Sequence, residues 1–164
     1  MKKYFLLLIF VFTTLVSFSQ QVTTYYLIRH AEKVRKDKTN ENPELNEKGL
    51  ERAKKWSEVF KNVSFDAIYS TQYKRTVGTA MPTSEAQNLE IQFYNPRDMF
   101  NKKFEVETHK KTVLVVGHSN TTPFFVNAIL GEEKYQQIDD NNNANLYIVT
   151  VVGVKKTSTL LKID

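Results

Sequence analysis

Two arginines and two histidines in this sequence could perform chemistry together: Arg29, His30, Arg75 and His118. Arg29 and His30 follow one run of aromatic and aliphatic residues, and His118 follows the most apolar run after the N-terminal segment. Arg75 comes shortly after a third run, which ends at Ser70. If each run is a strand of one parallel sheet, these side chains meet beyond the carboxyl ends of the strands, where open α/β sheets bind their ligands.

Two guanidinium groups and two imidazole rings suit chemistry on a phosphate group. A guanidinium group matches the oxygens of a phosphate in a bidentate manner and keeps its charge at any ordinary pH. A neutral imidazole nitrogen can attack phosphorus and form a phosphohistidine, which water then hydrolyses. The arginines would stabilise the charge on the phosphoryl oxygens in both steps. The residue types therefore predict a phosphate pocket with a histidine nucleophile.

Each of these residues also has a structural interpretation. An arginine on a helix, such as Arg75, is usually solvated, and a histidine behind an apolar strand can be a hydrogen-bonded core residue. Ser119 and Asn120 favour a polar pocket around His118. Arg29 is harder to explain, because an interior guanidinium needs an anionic partner. His109, followed by two lysines, is predicted to lie on the surface.

A metal site is the rival use of paired histidines. It would need a third ligand at a suitable spacing, and two neighbouring arginines would repel the cation. We therefore expect neither a metal nor a cofactor.

The elements that must position these residues alternate between strand and helix patterns. Strands are predicted at 23–29, 65–70, 90–94, 112–116, 145–152 and 157–163. Helices are predicted at 45–60, at 72–80 with Pro82 stopping or kinking the helix, at 97–107, and from Thr121 or Thr122 to Leu130, closed by Gly131. The order predicts an α/β fold, a three-layer α/β/α sandwich with a mostly parallel central sheet.

The first 19 residues have the pattern of an export signal. Lys2 and Lys3 precede an apolar run at 4–16, and small residues follow before Gln20. The run is shorter than the roughly 20 residues that span a bilayer, so we expect cleavage after Ser19 and no stable membrane anchor. The predicted organisation is a signal peptide at 1–19 and a single domain at 20–164, exported to the periplasm or the exterior.

Composition narrows the function further. The chain contains no cysteine, which excludes disulfide bonds and thiol chemistry. Two of its five net positive charges belong to Lys2 and Lys3, and the other basic residues alternate with acidic ones. This mild excess gives little support to nucleic-acid binding and fits a small anionic substrate. The oligomeric state has no readable signal.

Three motifs, in this order, resemble those of the histidine phosphatase superfamily, also called phosphoglycerate mutase-like. They are Leu27-Ile28-Arg29-His30-Ala31-Glu32, the stretch at 69–80 around Arg75, and Val115-Val116-Gly117-His118-Ser119. Leu45-Asn46-Glu47-Lys48-Gly49 is similar to a helix start of that family. The resemblance covers essentially all of residues 20–164 and implies the phosphoglycerate mutase-like fold.

The resemblance implies a role for each pocket residue. His30 would be the phosphorylated residue, Arg29 and Arg75 would hold the phosphate, and His118 would be the second histidine that holds the transferred group. Ala31 stands where the family usually has glycine, so the position still holds a small residue. The implied proton donor is a carboxylate some twenty residues after Arg75. Asp98 lies nearest that place, and Glu85 and Glu105 are rival candidates. Asp98 could instead have a structural role, as an acidic residue at a helix N-terminus that the helix dipole favours.

The favoured function is an exported, metal-independent phosphomonoesterase that acts on a small phosphorylated substrate through His30. One alternative is a phosphoglycerate mutase-type phosphotransferase, but the short segment between Arg75 and Glu107 leaves little chain for the lid that would exclude water. Another alternative is a catalytically weak protein that binds phosphorylated ligands. The identity of the substrate is not encoded in a readable motif.

Overall fold

Helices and strands alternate regularly along the chain in the computed structural model, which describes residues 21–37 and 39–164. The predicted signal peptide at 1–19 lies outside the described residues. The elements are β1 (Val22–Arg29), α1 (Glu47–Val59), β2 (Ala67–Ser70), α2 (Lys74–Gln87), β3 (Ile91–Phe93), α3 (Lys102–Glu107), β4 (Thr112–Gly117), α4 (Thr121–Leu130), β5 (Asn145–Val152) and β6 (Lys155–Lys162). None of the described helices is both long and apolar enough to cross a bilayer.

The strands form one six-stranded sheet in the order β3-β2-β4-β1-β5-β6. Parallel pairing joins β3, β2, β4 and β1, whereas β5 runs antiparallel to β1 and β6 runs antiparallel to β5. The mostly parallel sheet predicted from the sequence is confirmed. Its two central strands, β4 and β1, are the ones that lead into His118 and His30.

Two hydrophobic cores cover the two faces of the sheet. Because successive side chains of a strand point to opposite faces, Leu27 joins one core and Ile28 the other. The first core packs against α3 and α4 through Phe104 and Phe125. The second packs against α1 through Trp56 and also includes Ala80 of α2. This is the predicted three-layer α/β/α sandwich.

The register of the central strands brings the two histidine motifs together. Arg29 of β1 is paired with Gly117 of β4, and the backbone N–H of His30 donates to the carbonyl of Gly117 at 2.9 Å. A Cβ atom on Gly117 would lie 2.8 Å from the hydroxyl oxygens of Thr122 and Tyr94. The glycine before His118 is therefore required by close packing at the end of the strand.

Pro82 does not end α2, so the predicted helix end at residue 80 is wrong, and of the two predicted effects, a stop or a kink, the stop does not occur. The helix continues to Gln87, and Asn88 caps it in the left-handed conformation. A proline inside a helix costs about 3 kcal/mol, but buried residues lie on both sides of it, among them Ala80 and Thr83. The hydroxyl of Ser57 on α1 also donates to the carbonyl of Pro82. Tertiary packing thus outweighs the local preference.

The helix predicted at 97–107 is also too long. Residues 97–100 form turns, and α3 begins only after Asn101, whose side chain accepts from the N–H of Phe104 at 2.9 Å. Asparagine is a strong N-cap because its oxygen satisfies an otherwise free N–H of the first turn. The helix from Thr121 to Leu130 is confirmed, with Gly131 at its end in the left-handed conformation.

Gly49 allows the first turn of α1 to lie against the segment that follows β1. Its N–H donates to the side chain of Asn46, the N-cap of α1, at 2.9 Å. A Cβ atom at Gly49 would lie 2.1 Å from the carbonyl oxygen of Glu32. The helix-start motif and the first histidine motif are therefore in direct backbone contact.

We predict that Gly49→Ala lowers the free energy of unfolding by about 1–3 kcal/mol, the usual cost of overpacking. Gly78→Ala is the matched control, because Gly78 is also helical and its added Cβ would meet only side-chain atoms of Leu45, at 3.3 Å or more, and no backbone atom of another segment. There the gain in helix propensity, up to about 1 kcal/mol, offsets the contact. Urea unfolding of both variants measures the difference, and equal stabilities would contradict this account.

Candidate active site

The sequence-predicted pocket residues Arg29, His30, Arg75 and His118 all line one cavity of about 300 Å³. We call it the His–Arg cavity. It lies beyond the carboxyl ends of β1 and β4, where the site was expected. The remaining lining residues are Lys33, Tyr73, Pro96, Ser119, Asn120, Thr121 and Asp140.

The guanidinium group of Arg29 is buried, with only 1% of the residue exposed. Its Nη1 donates to the carbonyls of Asp139 and Asn142 at 2.8 and 3.0 Å, and its Nη2 donates to Oδ1 of Asp140 at 2.5 Å. Its Nε is buried, and no acceptor for it exists among residues 21–37 and 39–164. The loop before β5 therefore fixes the orientation of Arg29 and leaves its Nε–H available for another partner.

Asp140 bridges two arginines at the edge of the cavity. One carboxylate oxygen accepts from Arg29 and the other from Arg35 at 2.6 Å. Hydrogen bonds from Arg35 and then Arg29 hold the pKa of Asp140 at about 2, so it is ionised at any ordinary pH. Sequence reasoning missed Asp140. Two features of the sequence pointed to it: a buried Arg29 needs an anionic partner, and two aspartates stand together at 139–140.

His30 is held as a neutral ring with one nitrogen free. Its Nδ1 lies 2.7 Å from the carbonyl oxygen of Ala31, so this nitrogen carries the proton and donates. Burial is the largest cause that lowers the pKa of His30, to about 3, and the charges of Arg29 and Arg75 act in the same direction. The unprotonated Nε2 can therefore act as a nucleophile at neutral pH.

His118 lies across from His30, with 5.5 Å between the ring centroids. Its Nε2 is 3.0 Å from the hydroxyl of Thr71, which in turn contacts the hydroxyl of Thr76 at 2.9 Å. Burial, followed by the charges of Arg75 and Arg29, lowers the pKa of His118 to about 4. Since Nε2 is turned to Thr71, Nδ1 is the nitrogen left for a ligand.

Arg75 reaches the cavity from the first turn of α2. Its Cζ lies 4.4 Å from the centroid of the Tyr73 ring, a cation–π contact that orients the guanidinium group. Nη1 donates to the carbonyl of Glu41 at 3.3 Å, while Nε is buried and finds no acceptor within the described part of the chain. Arg75 and Arg29 thus share the same unusual feature, a buried N–H without a partner among the residues that the structure describes.

Tyr73 is a second residue that sequence reasoning missed. Its ring meets the ring of His118 edge-on, with 5.1 Å between centroids, and it also carries Arg75 over one face. An aromatic residue two positions before an arginine gives no recognisable signal in the sequence, because its role depends on the turn that opens α2.

The three carboxylates predicted as candidate proton donors, Asp98, Glu85 and Glu105, lie outside the residues that line the His–Arg cavity. Asp98 is exposed, and its Oδ2 accepts from Nδ2 of Asn101 at 3.0 Å. Glu105 is paired with Lys102 on α3, and Glu85 is exposed on α2. His109 is exposed, as expected. The role of Asp98 as proton donor stays a prediction.

The His–Arg cavity offers a set of cationic donors. Arg29, Arg75 and Lys33 line it with two neutral histidines. Among the described residues, no group of three or more His, Cys, Asp or Glu side chains is placed to hold a metal ion. The arrangement is therefore suited to binding an anion through N–H donors, with a nucleophilic nitrogen beside it.

Part of the chain matches a known family, the histidine phosphatase superfamily. The model of branch 1 of that superfamily matches residues 25–95, which include Arg29, His30 and Arg75. A curated relative, phosphoserine phosphatase 1 from Hydrogenobacter thermophilus, is 38% identical over 69 residues. That match covers 40% of this chain and spans only 33% of the relative.

Solved structures share the fold at low sequence identity. The protein histidine phosphatase SixA in complex with tungstate aligns with a TM-score of 0.66 and 13% identity, covering 85% of this chain and 96% of the other. A phosphoserine phosphatase from Entamoeba histolytica in complex with phosphoserine aligns with a TM-score of 0.60 and 17% identity, covering 84% and 95%. These likenesses confirm the predicted phosphoglycerate mutase-like fold.

The lowered pKa values of His30 and His118 predict that both rings stay neutral in the folded protein at pH 5. The unfolded rings take up protons below their ordinary pKa of 6.5. The unfolded state therefore binds more protons than the native state, and stability falls as the pH decreases from 7 to 5. An NMR titration of the imidazole carbons measures the first effect and urea unfolding the second. Titration of either ring near pH 6.5 in the folded protein would contradict the assignment.

Proposed function

We propose that this protein is a metal-independent phosphomonoesterase that works through a phosphohistidine on His30. The observation that carries the proposal is a neutral histidine nitrogen beside two arginines, each with a buried Nε that has no acceptor in the described residues. An unsatisfied buried N–H costs free energy, and the oxygens of a phosphate group are suitable acceptors for both. Phosphate binding would therefore complete the hydrogen bonding of the cavity.

The reaction would proceed in two displacements. In the first, Nε2 of His30 forms a bond to phosphorus while the bond from phosphorus to the leaving oxygen breaks. In the second, water attacks phosphorus, the P–N bond breaks, and inorganic phosphate leaves. Arg29 and Arg75 would stabilise the charge on the phosphoryl oxygens in both transition states. The hydrogen bond from Nδ1 to Ala31 stabilises the ring as positive charge develops on it.

The leaving oxygen needs a proton in the first step. Asp98 is the donor in the assignment from sequence, with Glu85 and Glu105 as rivals. His118 is a further candidate, since it lines the cavity with His30. The phosphate group would raise the low pKa of His118, because a nearby negative charge favours the protonated ring.

Hydrolysis is favoured over phosphotransfer back to a substrate. A mutase must exclude water from its phosphohistidine, and the segment between Arg75 and Glu107 is used by α2, β3 and α3 of the fold. Little of it remains to form a lid. The relatives support hydrolysis as well, since their names describe phosphatases, two of them phosphoserine phosphatases. We infer that the substrate is a small phosphorylated molecule.

Export is part of the proposal. It is supported by the basic start, the apolar run at 4–16 and the small residues before Gln20. The mature protein, residues 20–164, would act in the periplasm or outside the cell. An absence of cysteine is compatible with an oxidising compartment, because no thiol is available for oxidation.

Hydrolysis of p-nitrophenyl phosphate in the presence of EDTA tests the proposed function. We expect turnover without added metal. We also expect His30→Ala to abolish both turnover and the incorporation of acid-labile phosphate, because the same nitrogen of His30 attacks phosphorus and then carries the phosphoryl group. His109→Ala is the matched control, because His109 is exposed and outside the His–Arg cavity. Activity that EDTA abolishes and a divalent ion restores, or an active His30→Ala protein, would overturn the proposal.

The assignment of Asp98 has a separate test. An alkoxide needs a proton in the transition state, whereas nitrophenolate can leave without one. If Asp98 supplies the proton, Asp98→Asn should lose about 100-fold or more activity on an alkyl phosphate and far less on p-nitrophenyl phosphate. Asn101→Ala is the control, because it removes the hydrogen bond between Asn101 and Asp98 but keeps the Asp98 carboxylate. An equal loss on both esters would remove Asp98 from the mechanism.

A further inference from the structure

A second cavity of about 480 Å³ adjoins the His–Arg cavity, and Tyr73 and Pro96 line both. We call it the aromatic cleft and define it by Tyr73, Phe93, Pro96 and Arg97. The other residues that line it are Thr71, Gln72, Tyr94 and Asn95. Its volume is in the range of pockets that bind small ligands. A group attached to a phosphate in the His–Arg cavity can therefore extend past Tyr73 into this cleft.

The walls of the aromatic cleft expose two aromatic rings. Phe93, the last residue of the edge strand β3, is 52% exposed, and Tyr73 is 38% exposed. Exposed aromatic rings can form favourable contacts with flat apolar rings, because aromatic pairs gain energy beyond the burial of area. Pro96 adds a rigid apolar surface between the two cavities.

The only charged side chain among the described residues that line the aromatic cleft is Arg97. Arg97 is exposed, and its backbone N–H donates to the side chain of Asn95, which shapes the turn after β3. A positive group in the lining of a cleft favours neutral or anionic ligands and disfavours cationic ones. The cleft is thus selective in charge as well as in shape.

Tyr73 connects the cleft to the reaction centre. Its ring is fixed between Arg75, at 4.4 Å, and His118, at 5.1 Å between centroids. Tyr73 therefore contacts two members of the phosphate pocket and forms part of the boundary between the two cavities.

We propose that the aromatic cleft binds the leaving group of the substrate, and that this group carries a flat aromatic ring that is neutral or negatively charged. The inference rests on the proposed function, because it assumes that the His–Arg cavity binds phosphate. It names the substrate class as phosphate monoesters whose leaving group carries an aromatic ring.

Binding of phosphonates tests the proposal without turnover. Calorimetry would compare methylphosphonate, benzylphosphonate and 4-carboxybenzylphosphonate, together with inorganic phosphate. We expect benzylphosphonate to bind about fivefold to tenfold more tightly than methylphosphonate, the range of an aromatic contact. The carboxylate should improve binding further in the wild-type protein but not in Arg97→Gln.

Phe93→Ala should remove the preference for the benzyl compound and leave the affinity for inorganic phosphate unchanged. Phe124→Ala is the matched control, since Phe124 is 45% exposed on α4 and lines neither cavity. Equal affinity for methylphosphonate and benzylphosphonate, or an intact preference in Phe93→Ala, would overturn the cleft assignment alone. A wild-type protein that binds neither inorganic phosphate nor any phosphonate would instead overturn the proposed function.

Discussion

The burial of the Arg29 guanidinium is the constraint on which the site depends. This group is charged, lies at the end of a central strand and is almost completely withdrawn from solvent, a combination that is costly unless it is paired and hydrogen-bonded. The loop between α4 and β5 meets this requirement with two backbone carbonyls and the carboxylate of Asp140. Asn143 of the same loop donates to the carbonyl of His30. The loop that neutralises the arginine therefore also fixes the neighbouring histidine.

The same positive charge determines the protonation of the histidines. Burial and the nearby arginines disfavour an imidazolium ion, so both His30 and His118 are neutral at neutral pH. Nearby positive charge also attracts the negative charge of a phosphate group. One arrangement of charges thus provides both a neutral nucleophile and an anion site, and the hydrogen bond from Nδ1 to Ala31 selects the nitrogen that can react.

Much of this structure could be predicted from the sequence because its strongest signals are local. Continuous apolar runs indicate buried parallel strands, and residues that directly follow such runs must meet at one edge of the sheet, as His30 and His118 do. The errors have tertiary causes. Pro82 remains inside α2 because buried threonines and alanine hold the helix against its neighbours. Asp140 and Tyr73 enter the site through loop and turn geometry, which no periodic pattern in the sequence encodes.

The position of the phosphoryl group on the histidine ring tests the central claim most directly. Nδ1 of His30 is occupied by the carbonyl of Ala31 at 2.7 Å, so only Nε2 can attack phosphorus. The intermediate would be trapped by rapid quenching in base, located by mass spectrometry and assigned to one ring nitrogen by phosphorus–proton NMR. The account predicts a phosphoryl group on Nε2 of His30. A phosphoryl group on Nδ1, on His118, or on no histidine during turnover would contradict it.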